Sequence, residues 1–379
     1  MLFADAGWQT TAFTVGCVLA RTSTEGLMPK HFPSLTDVLH HGADTVIDVR
    51  SPAEFAEEHI PGAINLPALS NTERAQVGTI YVQDNPFRAR KVGAALVARN
   101  VAAHLDGPLA DKPGSWQPLV YCWRGGQRSG SFASILSQKG WRAETVEGGY
   151  QTYRRLVVDM LYDTPLPHSR MILLDGNPGT GKTEVLTHLQ AMGVQTLDLE
   201  AMACHRGSLL GRTVAPQPSQ KAFDSRLAVA LSQMDPALPI VVEAESSKVG
   251  RLNLPSSVWA AMIAAPRIML HASLTTRSAY LAKTYHDITA DIADVKARLV
   301  PLRRLRGHAV VDGWETLLAA GDHPGFAKAL IADHYDPAYA KSRAAQTFDL
   351  LGDVTAETLC EDGLTQVAQA IKNLINRAD

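Results

Sequence analysis

Met171-Ile172-Leu173-Leu174-Asp175-Gly176-Asn177-Pro178-Gly179-Thr180-Gly181-Lys182-Thr183 runs from an apolar strand through a glycine-rich turn into the helical stretch Glu184 to Met192. The turn reads G-x-x-x-x-G-K-T, and a strand before it with a helix after it is the context this motif requires. Gly176, Gly179, Thr180 and Gly181 let backbone amides close around phosphate oxygens, and the helix N-terminus adds a favourable field. Lys182 neutralises the outer phosphate, and Thr183 offers a hydroxyl to Mg²⁺. The loop reads an oligophosphate. It leaves the rest of the ligand open, ATP included.

Working outward, Pro239-Ile240-Val241-Val242-Glu243 and Arg267-Ile268-Met269-Leu270 read as buried strands of the same α/β unit. Glu243 and Glu245 stand at alternate positions beyond a strand, so both can face one cleft; solvated strand-end charges are the plainer alternative. Asp198-Leu199-Glu200 and His205-Arg206-Gly207-Ser208 follow the preceding strand, on the carboxyl edge where ligands bind. His205 reads equally well as a structural histidine. From about Tyr280 onward the pattern turns helical.

A second glycine-rich turn lies upstream. Gln117 to Tyr121 is a short buried strand, and Cys122-Trp123-Arg124-Gly125-Gly126-Gln127-Arg128 follows it, with a helix starting near Ser129. A thiol at a strand end, before two glycines and a helix N-terminus, is placed to become a thiolate. Loop amides, the helix dipole and the charges of Arg124 and Arg128 each lower its pKa. Cys17, Cys204 and Cys360 read instead as small buried hydrophobes. The cluster Arg303, Arg304 and Arg306 reads as a solvated helix face, with a phosphate-backbone contact as its alternative; Arg154 and Arg155 carry the same two readings.

The remaining organisation follows from pattern. Thr45 to Val49 is a strand, and Ser51-Pro52 starts a helix. Val92, Leu96, Val97, Val101 and Leu105 fall at helical spacing. The expected division is an unassigned extension at 1–33, a first α/β domain at 34–160 with a helical insert at about 67–118, a linker at 161–169, the phosphate-loop domain at 170–300, and a helical C-terminal region at 301–379. The chain of 379 residues is 46% hydrophobic and 20% charged with net charge -2. That composition fits a folded protein and does not advertise a polyanion partner, so nucleic acid would have to meet local basic patches. Four cysteines without paired spacing argue against disulfides and zinc and fit a reducing, cytoplasmic setting. No apolar run approaches the ~20 residues that span a membrane. Thr11 to Ala20 makes a poor signal peptide, and Met28 is an alternative start.

Asp48-Val49-Arg50, His59-Ile60-Pro61-Gly62-Ala63-Ile64-Asn65 and the Cys122 loop together resemble a rhodanese domain, a family whose cysteine carries sulfur or selenium as a persulfide or perselenide. The usual loop places arginine five residues after the cysteine; Arg128 is six after. With a phosphate-loop domain behind it, this departure resembles the tRNA 2-selenouridine synthases. Glu73-Arg74 with Val77 to Tyr81, Glu147-Gly148-Gly149-Tyr150, Asp198 to Glu200 with His205 to Ser208, Glu243 to Ser246 and His334-Tyr335-Asp336-Pro337 are similar to that family's signatures, over roughly residues 35–340. Ser247 stands where the pattern carries a basic residue.

The resemblance implies an N-terminal rhodanese-like parallel-sheet domain and a P-loop NTPase-like α/β domain with a helical C-terminal region. It implies a transferase that converts wobble 2-thiouridine in the tRNA anticodon loop to 2-selenouridine with selenophosphate, through S-geranylation by geranyl diphosphate. Lys182 and Thr183 would hold the diphosphate. The Cys122 loop would bind selenophosphate, with Cys122 as nucleophile or carrier and Asp48, Arg50, His205, Arg206, Glu243 and Glu245 as residues of the cleft. Trp123 or Tyr150 would stack on the splayed-out base. Both sites are expected to open onto one hollow. The competing readings are a cysteine phosphatase, because Cys122 and Arg128 satisfy C-x-x-x-x-x-R, and a sulfurtransferase or inert rhodanese-like module joined to a P-loop ATPase.

Overall fold

The computed structural model describes residues 29–378, apart from 164, 165 and 167–169. Cys17, Thr11–Ala20, Met28 and much of the expected linker lie outside the described residues. The first lobe is a parallel sheet of β1 (Thr45–Asp48), β2 (Ile64–Asn65), β3 (Pro118–Tyr121) and β4 (Glu144–Thr145), in the order β2-β1-β3-β4. All of β3 and most of β1 are buried, since helices cover both faces of a parallel sheet. The helices are α1 (Leu35–Leu39), α2 (Pro52–Glu57), α3 (Asn71–Gln83), α4 (Pro86–Asp106), α5 (Gln127–Lys139) and α6 (Tyr150–Val158). Ser34 caps α1, and Glu54 reaches back to the Ser51 amide at 3.1 Å to start α2. Helices α3 and α4 form a helical hairpin within 67–118, with Val97 and Val101 turned into the core beside Leu109 and Trp116. The extension does not stop short of the fold at residue 33: Lys30 pairs with Val146 at the sheet edge and Phe32 is buried.

The second lobe is a parallel sheet of β5 (Met171–Gly176), β6 (Gln195–Leu197), β7 (Ile240–Glu243), β10 (Arg267–Ala272) and β11 (Leu350–Ala356), in the order β11-β10-β5-β7-β6. A small hairpin, β8 (Lys248–Val249) with β9 (Leu252–Asn253), follows β7. Its helices are α7 (Lys182–Ala191), α8 (Leu199–Ala203), α9 (Gln220–Ser232) and α10 (Ser256–Ala264). Strand β5 is central. The chain leaves it toward β6 and β7 on one side and later returns to β10 and β11 on the other, which makes the carboxyl end of β5 a switch point.

Two expectations change here. Residues 301–379 are not all helix: β11 completes the second sheet beside β10, and α17 (Glu361–Ala378) packs on α7 through Leu364, Val367 and Ile371. The seven residues of β11 sit at a sheet edge with mixed exposure, so they lack the apolar run that marked the inner strands. The described part of the expected linker also belongs to the fold. Asp159–Asp163 is a π-helical turn continuing α6, and Leu161 and Leu166 are buried in a core that runs from Tyr153 and Val157 to Phe223 and Val242. The two lobes therefore share one hydrophobic core.

Between β10 and β11 the chain builds a helical lid: α11 (Leu274–Thr284), α12 (His286–Thr289), α13 (Ile292–Arg306), α14 (His308–Ala319), α15 (His323–Leu330), a π-helical turn (Ile331–Tyr335) and α16 (Asp336–Ala344). Trp314, Val295, Leu299 and Phe326 form its own core. Arg303 pairs with Asp312 and Glu315, and Arg306 donates to the His334 ring and carbonyl. Arg303 and Arg306 therefore tie helices together and are not the solvated helix face expected of the cluster.

Candidate active site

Cys122 leaves β3 at its carboxyl end and is 3% exposed. The Ser129 hydroxyl donates to its Sγ over 3.2 Å. Burial pushes the thiol pKa up, but the Ser129 hydroxyl and amide, the Arg128 charge and the Gly126 amide outweigh it, and the pKa falls below the ordinary thiol value. Arg128 acts here while held by Glu54 at 3.1 Å. Arg124 is exposed, and the leading contributions that lower the thiol come from Ser129, Arg128 and Gly126.

The Glu147-Gly148-Gly149-Tyr150 stretch braces this loop. The Tyr150 amide donates to the Cys122 carbonyl at 2.8 Å and the Gln151 amide to the Trp123 carbonyl at 3.1 Å. Gly149 has φ +61°, and a Cβ there would lie 2.3 Å from the Cys122 carbonyl oxygen, so only glycine fits. Asp48 and Arg50 do not line a cleft. They are 0% and 1% exposed and bonded to each other at 2.7 Å. The Arg50 guanidinium stacks 3.9 Å from the Tyr150 ring centre and donates to the Glu58 carbonyl. A guanidinium with this many partners is a brace for the loop.

In the second lobe, Gly179 and Gly181 take positive φ, 82° and 78°, as the phosphate turn requires. Lys182 Nζ lies 3.1 Å from the Gly176 carbonyl, curled over the turn. The lid latches onto the same loop. Asn177 donates to Asp336 at 3.0 Å, Arg277 holds Asp336 through two 2.8 Å bonds and also reaches the Pro178 carbonyl, and Arg343 donates to Asn177. Asp336 was legible in the His334–Pro337 signature. Arg277 and Arg343 carried no local signal, because their meaning lies in contacts about 100 and 166 residues away in sequence.

Beside Lys182, one carboxylate oxygen from each of Glu200, Glu243 and Glu245 lies within 4.8 Å of the others, and the Thr183 hydroxyl is 3.4 Å from Glu200. Burial raises all three carboxyls. Like charge adds to it for Glu200, which reaches about 8, chiefly from Glu245, and for Glu243, chiefly from Glu200; Lys182 works the other way on Glu200 and Glu245. Three carboxylates and a threonine hydroxyl are hard oxygen donors, the set that fits Mg²⁺. Glu200 thus joins the expected pair Glu243 and Glu245.

His205 and Arg206 separate. Arg206 lies on the cavity wall with its guanidinium 4.9 Å from the Tyr285 ring centre. His205 is buried off the cavity, bridged to Arg212, and burial lowers its pKa. Of the other cysteines, Cys360 is exposed and Cys204 half-buried, so neither is the core residue expected; neither forms a disulfide.

The phosphate loop opens into a cavity with about 1180 Å³ of empty space, its mouth included. Lys182, Thr183 and the three glutamates form one end. Leu281, Ile288, Phe326, Ala327 and Leu330 of the lid add an apolar lining, with Tyr285, Arg206 and Ser208 among the polar groups of the same wall. A separate cleft beside Cys122 is lined by Trp123, Tyr150 and Lys221 among others. The two share no lining residue, so the expected single hollow is two cavities.

The chain matches the family models described as tRNA 2-selenouridine synthase AAA domain, over residues 169–300, and Rhodanese-like domain, over residues 33–156. Curated relatives are similar across both lobes. The tRNA 2-selenouridine synthase of Hahella chejuensis is 30% identical over 82% of this chain and 89% of its own length. Those of Pseudomonas syringae pv. syringae and Marinobacter nauticus are each 32% identical, over 82% and 78% of this chain and 92% and 87% of theirs.

Proposed function

The chain belongs to the tRNA 2-selenouridine synthase family, and from that premise we propose that its lobes divide one transfer: prenylation of the wobble sulfur at the phosphate loop, and selenium delivery at the Cys122 loop. The enzyme converts 2-thiouridine in tRNA to 2-selenouridine. The observation carrying the finer reading is the shape of the second-lobe cavity, a phosphate cradle continuous with an apolar pocket. A diphosphate on a hydrocarbon chain fits both ends at once.

In this reading Lys182 and the loop amides hold the diphosphate of geranyl diphosphate. Thr183, Glu200, Glu243 and Glu245 would hold Mg²⁺, which supplies charge neutralisation for the diphosphate. The thiouridine sulfur attacks the geranyl C1, the C1–O bond breaks, diphosphate leaves and the base loses its N3 proton. The alkylated sulfur is then a leaving group at C2.

The Cys122 loop supplies the second half. Its C-x-x-x-x-x-R spacing and the Ser129 donor suit a phosphate dianion facing a thiolate. Cys122 attacks phosphorus of selenophosphate, the P–Se bond breaks, and selenide leaves with its electron pair. No oxidant is required. Selenide adds at C2 and geranylthiolate departs; water hydrolyses the S-phosphocysteine to phosphate and free thiol.

Separate Cys122→Ser and Lys182→Ala variants, assayed on thiolated tRNA, test the division. Cys122→Ser should geranylate but not selenate, and Lys182→Ala should do neither unless given pre-geranylated tRNA. Selenation by Cys122→Ser, or full geranylation by Lys182→Ala with tight ATP binding instead, would overturn it.

A further inference from the structure

We propose that the cleft at the seam of the two lobes is the docking site for one splayed-out nucleotide of the single-stranded part of the RNA substrate. The proposal rests on the RNA reading above and is independent of which donors the enzyme uses. Trp123, Tyr150, Gln151, Arg154, Arg155 and Lys221 line the cleft. Lys221 comes from α9 of the second lobe and the rest from the first, so the site is complete only in the joined molecule.

Three features fix the ligand class. The first is an aromatic platform. The face is that of Trp123, which is half-buried with apolar neighbours from the core; the buried Tyr150 ring backs it, 5.1 Å away and tilted by 33°. The platform is rigid because the backbone of Tyr150 and Gln151 is bonded to the carbonyls of Cys122 and Trp123. Trp123 directly follows Cys122, so a base resting here sits at the entrance to the sulfur loop. Unstacked RNA bases are bound on such aromatic faces.

The second feature is cationic. Arg154 is aimed by Asp224 at 2.6 Å and Glu58 at 3.4 Å, Lys221 by Glu57 at 2.8 Å, and Arg155 stands exposed on α6. Arg154 and Lys221 are held by carboxylates, so the exposed Arg155 is the cation presented beside the aromatic face. The third is Gln151, whose carboxamide brings both a donor and an acceptor to a base edge. Aromatic face, cation and amide together match a nucleotide. An acidic peptide would use only the cation.

The test is fluorescence anisotropy of a labelled anticodon stem-loop carrying 2-thiouridine, titrated with the full-length chain at several salt concentrations without either donor. Trp123→Ala should weaken binding roughly tenfold or more, with Trp123→Tyr restoring most of it. Arg155→Ala should lower the slope of log affinity against log salt by about one. If Trp123→Ala fails to fold, the exposed Arg155 decides alone. Wild-type affinity in Trp123→Ala and an unchanged salt slope in Arg155→Ala would overturn the site. Lost geranylation or selenation with binding intact would instead strike the reaction proposed above and leave the cleft standing.

Discussion

The Ser129 hydroxyl points at the Cys122 sulfur across 3.2 Å, in a loop that otherwise buries the thiol. Burial favours the neutral thiol and this donor favours the thiolate. The net fall in pKa shows that the donors prevail, with the Ser129 hydroxyl the largest favourable contribution.

The sign of the consequence follows. A lowered pKa means the thiolate forms at lower pH, so alkylation of Cys122 by iodoacetamide should accelerate below the range of an ordinary thiol. Ser129→Ala should move that profile to higher pH, while Ser129→Thr keeps it. Mass-spectrometric quantitation of alkylated Cys122 against pH checks this; coincident profiles for wild type and Ser129→Ala would remove the activating role.

The glutamates beside Lys182 repel one another when no cation is present. Glu200→Gln combined with Glu243→Gln should raise the melting temperature in EDTA. The same variant should lose the further rise that Mg²⁺ with inorganic diphosphate gives the wild type, because only a bound ligand shifts that equilibrium. An equal Mg²⁺ response in both proteins would show the cation binds elsewhere.

Glu58 joins the lobes. Buried in the first, it accepts from Tyr150 of its own lobe and from Ser225 of the second, and Arg154 bridges it to Asp224. Burial raises its pKa despite these donors. Glu58→Ala leaves three polar groups short of a partner and should cost about 2–4 kcal/mol in denaturant unfolding. A loss under about 0.5 kcal/mol, the level of an ordinary surface change, would mean that the network does not hold the lobes together.

Ala327 forms part of the apolar wall facing the phosphate loop. Ala327→Trp should reduce kcat/KM with geranyl diphosphate at least tenfold while leaving a five-carbon prenyl diphosphate nearly unaffected, since a pocket discriminates by the volume it still offers. Equal losses for both donors would place the chain outside this pocket.

Gly149→Ala puts a methyl group against the Cys122 carbonyl at a backbone angle that side chains avoid. The expected cost is about 1–3 kcal/mol of stability, with slower Cys122 alkylation at every pH as the loop is displaced. Unchanged alkylation would show that the loop holds its shape without the Glu147–Tyr150 brace.

The sequence by itself determined the local chemistry. The turns of Gly176–Thr183 and Cys122–Arg128 were legible because a loop that wraps an anion, or exposes a strand-end sulfur, needs glycines and cations at fixed short spacing. The inner strands were legible because a sheet buried on both faces demands unbroken apolar runs. Only the tertiary structure decided what those runs and charges meet. It moved Arg124 to solvent and Asp48 and Arg50 into the core, drew Glu200 in beside Glu243 and Glu245, and brought β11 back across the lid to finish the second sheet. These outcomes depend on contacts between distant segments, whose partners leave no mark in local spacing. The apolar pocket is the clearest case: α11 and α15 show ordinary helical patterning, and their apolar residues line a cavity beside Lys182 only because the lid folds over the phosphate loop.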